Sequence, residues 1–79
     1  MDEEALAEAV WAYDPMGILG SREDIPTEYD ELIQGIIALR RIAAETPQIE
    51  QWVHHFFTSV WGAEFTANAA REFVRAVLG

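Results

Sequence analysis

The chain has 79 residues and no cysteine, and its fourteen acidic side chains against five arginines give a net charge of −9. Without cysteine it has neither a disulfide framework nor a thiolate metal site, which fits a reducing, cytoplasmic setting. Its negative charge repels phosphate backbones and anionic lipids, which argues against nucleic-acid and membrane partners.

The length and hydropathy of the chain predict one domain over residues 1–79. A hydrophobic fraction of 51% is high enough to form a core in so small a protein. No apolar run approaches the roughly 18 residues of a membrane span, and the acidic start does not resemble a secretory signal. Apolar residues recur at helical spacing in four segments, and none alternates with a period of two. We therefore expect an all-α fold: a small four-helix bundle with a long ordered loop between helices 1 and 2.

The first helix is predicted over residues 4–13. Its apolar face consists of Ala5, Leu6, Ala9, Val10 and Tyr13. Trp11 projects instead with Glu4 and Glu8, on the polar side. A large aromatic side chain there either packs under the loop that follows or stays exposed for a partner, and we favour packing under the loop.

The predicted loop begins with Asp14-Pro15-Met16-Gly17, which matches a type I turn position by position. Asp accepts backbone hydrogen bonds at the first position, Pro presets φ at the second, and Gly suits the fourth. The apolar Ile18 and Leu19 follow this turn. We expect the loop to fold back onto the core.

The second helix is predicted over residues 27–45. Two caps are compatible with its start, Ser21 with Asp24 or Thr27 with Asp30, and the sequence does not decide between them. Its apolar stripe consists of Tyr29, Leu32, Ile33, Ile36, Leu39 and Ala43.

Arg40 falls inside the apolar stripe of the second helix. Since burying an unpaired guanidinium is costly, the side chain must either extend outward to solvent or pair with an acid such as Asp14. We favour the first alternative. The second would place a charged pair beneath the loop.

Thr46 and Pro47 predict the start of the third helix, as its N-cap and its first residue, and Gly62 marks its end. The stripe of this helix consists of Ile49, Trp52, Val53, Phe56, Phe57 and Val60. A fourth helix is predicted over residues 63–78. Its wide apolar arc consists of Phe65, Ala67, Ala69, Ala70, Phe73, Val74 and Val77.

Residues that could carry catalysis or hold a metal are few. Glu50 and His54 share a helix face at i and i+4, but two ligands without a third make a weak metal site. Ser21 and Ser59 lack a nucleophile-elbow motif, and the chain has no glycine-rich phosphate loop. The sequence therefore predicts a protein that is not an enzyme, with no catalytic residues, bound metal or cofactor.

Two segments, Tyr13-Asp14-Pro15-Met16-Gly17-Ile18 and Glu28-Tyr29-Asp30, carry a resemblance to a known family. The chain resembles the YugE-like family of uncharacterised small bacterial proteins, in which an Asp-Pro-aliphatic-Gly segment precedes an acidic Glu-Tyr-Asp segment that begins a helix. The resemblance covers about 20 of the 79 residues. It implies an all-helical fold and a bacterial source, with no established activity.

Two functions are compatible with these features. The first is a protein-interaction domain that binds a basic partner through the loop and the acidic start of the second helix, with an immunity or antitoxin-like role as one version. Acidic side chains at a helix N-terminus also interact favourably with the helix dipole, which can explain their presence there without a binding partner. The second is a small-ligand binder with a pocket between the loop and the helices. The candidate binding residues are Asp14, Met16, Glu28, Tyr29, Asp30 and Arg40.

Surplus aromatic side chains also make a homodimer a candidate. Nine aromatics are many for so small a core, and Trp11 and Trp61 are the two that we expect at a dimer interface.

Overall fold

Four helices make up the regular structure of this chain. The computed structural model describes residues 2–15, 17, 22–24, 27–60, 62 and 65–78. These residues form α1 (Glu3–Tyr13), α2 (Asp30–Arg41), α3 (Thr46–Ser59) and α4 (Ala67–Leu78), and no strand. The predicted all-α, four-helix fold is confirmed. None of the helices found in these ranges has the length and hydrophobicity needed to cross a membrane.

Helices α1 and α2 run antiparallel. Glu3 at the start of α1 forms an ion pair with Arg41 at the end of α2. At the opposite end, Asp14 follows α1 and accepts a hydrogen bond from Tyr29, which precedes α2. These two contacts hold both ends of the helix pair.

The remaining helices continue the antiparallel pattern. Glu50 in α3 faces Arg71 in α4, while Phe57, later in α3, stacks on Phe65 before α4 begins. Each helix packs against the next in the chain, and α4 returns to α1. Phe73 of α4 therefore contacts both α3 and the end of α1, through Phe57 and Tyr13.

The core of the described residues consists of apolar and aromatic side chains, of which Tyr29 and Trp11 carry a polar group. All four helices contribute to it, and no charged residue is buried in these ranges. Its fully buried side chains are Tyr29, Phe57, Phe73, Leu6, Leu32, Ile36, Val10, Val53, Val74 and Val77. Burial at roughly 25 cal/mol per Å² of apolar surface is the main force that holds the four helices together.

Helix α2 is shorter than predicted at both ends. Thr27 does not cap it: residues 27–29 form a turn in which the Thr27 carbonyl accepts a hydrogen bond from Asp30 N at 3.0 Å. Ser21, the other candidate cap, lies outside the described residues. The prediction of a helix over residues 27–45 is wrong by three residues at the start and four at the end.

The early end of α2 has a local cause. Ala43 has φ +57, and its N–H donates to Arg40 O at 3.0 Å while Ala44 N donates to Leu39 O at 3.0 Å. These two bonds form a Schellman motif, which satisfies carbonyls that the helix leaves free and turns the chain away. Glycine usually occupies this left-handed position, so an alanine there does not indicate in the sequence that the helix ends.

The starts of α3 and α4 also differ from the predictions. Glu45, rather than Thr46, is the N-cap of α3, and its N–H donates to the side chain of Gln48 at 2.8 Å. In α4, the Thr66 hydroxyl accepts a hydrogen bond from Ala69 N at 3.0 Å, so the helix begins at Ala67 rather than at residue 63. Side-chain caps therefore decided both boundaries.

Helices α2 and α3 approach closely at a glycine. A Cβ atom on Gly35 would lie 2.1 Å from the Trp52 ring, closer than any real contact. Trp52 is half-buried, with its ring stacked 5.2 Å from that of Phe56. The absence of a side chain at position 35 is what admits the indole between the two helices.

Candidate functional site

The turn that follows α1 is closed by backbone hydrogen bonds. Asp14 adopts a left-handed conformation with φ 53, and its N–H donates to Val10 O at 2.9 Å. Gly17 N then donates to Asp14 O at 3.1 Å, as the predicted turn over residues 14–17 requires. The hydrogen-bonded turn is confirmed. Met16, one of the candidate binding residues, lies outside the described residues.

Tyr29 belongs to the core rather than to the surface. It is 0% exposed, and its hydroxyl donates to Asp14 Oδ1 at 2.9 Å. Its ring meets that of Trp11 edge-on, with 4.5 Å between the centroids. Of the candidate binding residues, Tyr29 is thus out of a partner's reach, and the partly buried Asp14 carboxylate is engaged in holding it.

Trp11 packs beneath the segment that follows α1. It is 2% exposed and contacts Tyr29, and the Arg22 guanidinium lies 5.0 Å from its ring centroid. The favoured interpretation, packing under the loop, is confirmed, and an exposed Trp11 at a dimer interface is wrong. Trp61, the other proposed interface residue, lies outside the described residues, as do Ile18 and Leu19.

Arg22 fixes the loop to α1. Its guanidinium contacts both carboxylate oxygens of Glu8, at 2.6 and 3.3 Å. The hydrogen bond and positive charge of Arg22 lower the pKa of Glu8 below its ordinary value. Sequence reasoning missed this contact, because a separation of fourteen residues across a loop carries no periodic signal.

Arg40 extends to solvent, as the favoured alternative predicts. It is exposed in a shallow groove between the start of α1 and the end of α2, whose walls include Leu6 and Ile37. Eleven residues separate it from Tyr29, or about 16 Å along the helix axis. Pairing between Arg40 and Asp14 is therefore wrong, and these two polar groups do not line one ligand pocket.

The start of α2 presents a group of carboxylates to solvent. Glu28, Asp30 and Glu31 are exposed, and none forms an ion pair within the described residues. We call these three residues the acidic start of α2. Glu23 and Asp24, earlier in the loop, are exposed as well. Three of the five arginines are engaged with acids elsewhere, so this end of α2 keeps its negative charge.

A groove of about 450 Å³ adjoins the acidic start of α2. Thr27, Glu28 and Glu31 line one side, and Phe56 and Val60 of the end of α3 line the other. Val60 is 58% exposed, whereas Phe56 is 7% exposed. The prediction that Val60 belongs to the buried stripe of the third helix is wrong: Val60 is the C-cap of α3 and is exposed, although its N–H still donates to Phe56 O at 2.8 Å.

Glu50 and His54, the weak metal site considered in the sequence analysis, lie on α3. With Arg71 they line another shallow groove, where Arg71 Nε lies 4.0 Å from Glu50 Oε1. In the part of the chain that the structure describes, no group of three His, Asp or Glu side chains is placed to hold a metal ion.

The exposed candidates of the sequence analysis thus separate into two places: Glu28 and Asp30 at the start of α2, and Arg40 at its end. Asp14 and Tyr29 join the loop to the core at the first of these places, beside Glu28 and Asp30. Comparison of the chain with protein-family models, with curated proteins and with solved structures found no significant match.

Proposed function

We propose that this protein is a non-enzymatic interaction domain that binds a basic protein partner through the acidic start of α2. The observation that carries the proposal is the exposure of Glu28, Asp30 and Glu31 without an ion pair in the described residues. A basic partner would supply the missing counter-charges, and the net charge of −9 would speed its approach.

The hydrogen bond between Tyr29 and Asp14 supports this proposal, because it helps to order the backbone at the start of α2. Tyr29 immediately precedes α2, and its hydroxyl donates a hydrogen bond to Asp14 after α1. The carboxylates of Asp30 and Glu31 follow directly in the first turn of α2. A surface that is already ordered loses less conformational entropy when a partner binds.

We also propose a cytoplasmic location and a family for this protein. A cytoplasmic location suits a chain without cysteine. Membership of the YugE-like family, and with it a bacterial source, rests on the resemblance at residues 13–18 and 28–30. An immunity or antitoxin-like role is one version, in which the acidic start of α2 covers a basic site on another protein.

Affinity capture followed by a charge comparison tests the proposal. A partner recovered at low salt is purified, and its Kd is measured for the native chain and for the triple variant Glu28→Gln/Asp30→Asn/Glu31→Gln. Because exposed ion pairs contribute up to about 1 kcal/mol each, we expect the variant to bind about tenfold more weakly. High salt should weaken the native complex and have less effect on the variant.

The matched control removes three exposed acids elsewhere. The variant Glu4→Gln/Glu45→Gln/Glu72→Gln has the same net charge as the first triple variant, so general electrostatic attraction weakens equally in both. Equal Kd values for the two variants would contradict a specific role for the start of α2. So would a captured partner whose affinity does not depend on salt.

A further inference from the structure

The groove beside the acidic start of α2 combines two unlike surfaces. Val60 leaves an aliphatic side chain 58% exposed at the end of α3, next to the edge of the buried Phe56. Across the groove stand the carboxylates of Glu28 and Glu31. A concave surface that combines an exposed aliphatic side chain with carboxylates has the mixture of apolar and polar groups found in protein-interaction sites.

Other exposed apolar side chains in the described residues do not share this setting. Tyr13 is 41% exposed, but its ring packs 5.2 Å from that of Phe73. Ile42 is 74% exposed in the turn after α2, close to Arg40 and Arg41 in the chain. Isolated apolar residues on a surface are ordinary, whereas Val60 lines a groove together with Phe56 and the carboxylates of α2.

The charge of the groove determines the kind of partner that fits it. Glu28 and Glu31 have no counter-charge within the described ranges, so an occupant that covers them must bring its own. A second copy of this chain carries a net charge of −9, which opposes its approach to this acidic border. Arginine and lysine suit this border, since a guanidinium can bind a carboxylate with two hydrogen bonds.

We propose that this groove binds a basic segment of the partner protein, which inserts an aliphatic side chain against Phe56 and Val60. Arginine or lysine residues on either side of that side chain contact Glu28 and Glu31. This inference rests on the proposed function and specifies the partner segment: apolar at its centre and basic at its edges.

Synthetic peptides provide a defined probe. The first is a short helical peptide with a central leucine flanked by arginines. In the second, glutamine replaces the leucine, and in the third, glutamines replace the arginines. Fluorescence anisotropy gives the Kd of each peptide for the native chain. We expect the first to bind about fivefold or more tightly than either of the others, because only it satisfies both surfaces.

Two protein variants locate the binding. Val60→Ser should weaken binding of the first peptide about fivefold, because the buried apolar contact is lost. Glu28→Gln/Glu31→Gln should weaken it to a similar extent and remove its preference for arginine. The controls are Ile42→Ser, at a more exposed apolar position elsewhere, and Glu4→Gln/Glu72→Gln. Amide chemical shifts from an NMR titration should change most at Thr27, Glu31 and Val60.

The possible results of these measurements distinguish insertion of an aliphatic side chain into the groove from binding through the carboxylates alone. If the leucine and glutamine peptides bind equally, or if Val60→Ser behaves like Ile42→Ser, insertion into the groove is wrong. Binding that still depends on the arginines and on Glu28 and Glu31 would then agree with the proposed function without insertion of an aliphatic side chain. If the first peptide does not bind, the inference is wrong, whereas the proposed function is still decided by its own partner. Circular dichroism confirms that each variant is folded.

Discussion

The Tyr29 hydroxyl donates a hydrogen bond to Asp14 Oδ1 at 2.9 Å, which joins the residue after α1 to the residue before α2. Tyr29 is fully buried, and Asp14 stands at a left-handed helix end. The hydrogen bond therefore links the two ends of the loop that connects α1 and α2. Further along that connection, Arg22 holds it to Glu8 and Trp11.

Tyr29→Phe should lower the free energy of unfolding by about 1.5–3 kcal/mol, the usual range for a hydrogen bond to a charged acceptor. The ring and its contact with Trp11 remain, so the loss reports the hydroxyl. Urea denaturation followed by tryptophan fluorescence measures it. Tyr13→Phe is the matched control, because Tyr13 is 41% exposed, and it should change stability by less than about 0.5 kcal/mol.

The Asp14 side of the same bond allows a second comparison. Asp14→Asn keeps an acceptor oxygen, and Asn tolerates positive φ, so it should destabilise less than Asp14→Ala. Equal losses for the two substitutions would show that neither the hydrogen bond nor the left-handed backbone accounts for the effect.

Gly35→Ala should destabilise the fold, although alanine is the better helix former by about 1 kcal/mol. The added Cβ would lie 2.1 Å from the Trp52 ring, and forcing extra atoms into a packed interface costs about 1–3 kcal/mol. Thermal unfolding measures the change. A higher midpoint for Gly35→Ala would contradict the close approach of α2 and α3.

A double mutant isolates the cause of this effect. In a Trp52→Leu background the ring is absent, so Gly35→Ala should cost less than in the native chain, or should stabilise the helix. The difference between the two backgrounds is the coupling energy of the pair. No difference would locate the strain elsewhere.

Ala43→Gly should raise the free energy of unfolding by about 1 kcal/mol, because glycine adopts the left-handed conformation that strains alanine. Ala43 has φ +57 at the Schellman motif that ends α2. Ala38→Gly is the matched control: it is exposed within the same helix, and we expect it to destabilise by about 1 kcal/mol. The two substitutions should therefore change the free energy of unfolding in opposite directions. Changes in the same direction would contradict a helix end with Ala43 in the left-handed conformation.

The ion pair between Arg22 and Glu8 should make stability depend on pH. The hydrogen bond and charge of Arg22 lower the pKa of Glu8 in the folded state. The contribution of the pair is therefore present above the pKa that Glu8 has in the unfolded chain, and it is lost as the pH falls through the lower, folded-state pKa.

Arg22→Gln tests this dependence. An NMR titration of the Glu8 carboxyl group should show its pKa rising toward the ordinary value. The difference in melting temperature between native and variant chains should shrink as the pH falls through the glutamate range. Arg71→Gln, which removes an arginine facing Glu50 instead, should leave the pKa of Glu8 unchanged. An equal rise in both variants would assign the shift to overall charge.

Helical periodicity was enough to predict the number, order and approximate position of the helices. The buried faces of α3 and α4 follow the stripes through Val53, Phe57, Phe73 and Val74. It was not enough for the helix ends. Those depend on single hydrogen bonds, such as the one that Thr66 accepts, and on an alanine in a conformation that usually signals glycine.

The candidate site was predicted only in part. The negative charge at Glu28 and Asp30 follows from the sequence, and the structure leaves both side chains exposed. The pairing of Arg40 with Asp14 does not occur, because α2 carries Arg40 to the opposite end of the bundle. Val60 joins the groove beside Glu28 only because the end of α3 lies against the start of α2.

The all-α class and the surplus of negative charge could be predicted from the amino-acid sequence, because both depend on which residues occur and how they repeat along one helix. The folded structure was needed to establish that Trp11 is buried, that Tyr29 donates a hydrogen bond to Asp14, and that Phe56 and Val60 lie beside the acids of α2. These contacts join residues far apart in the chain. They form because helix packing and the course of the loop bring these residues together, and local sequence patterns do not predict such long-range contacts.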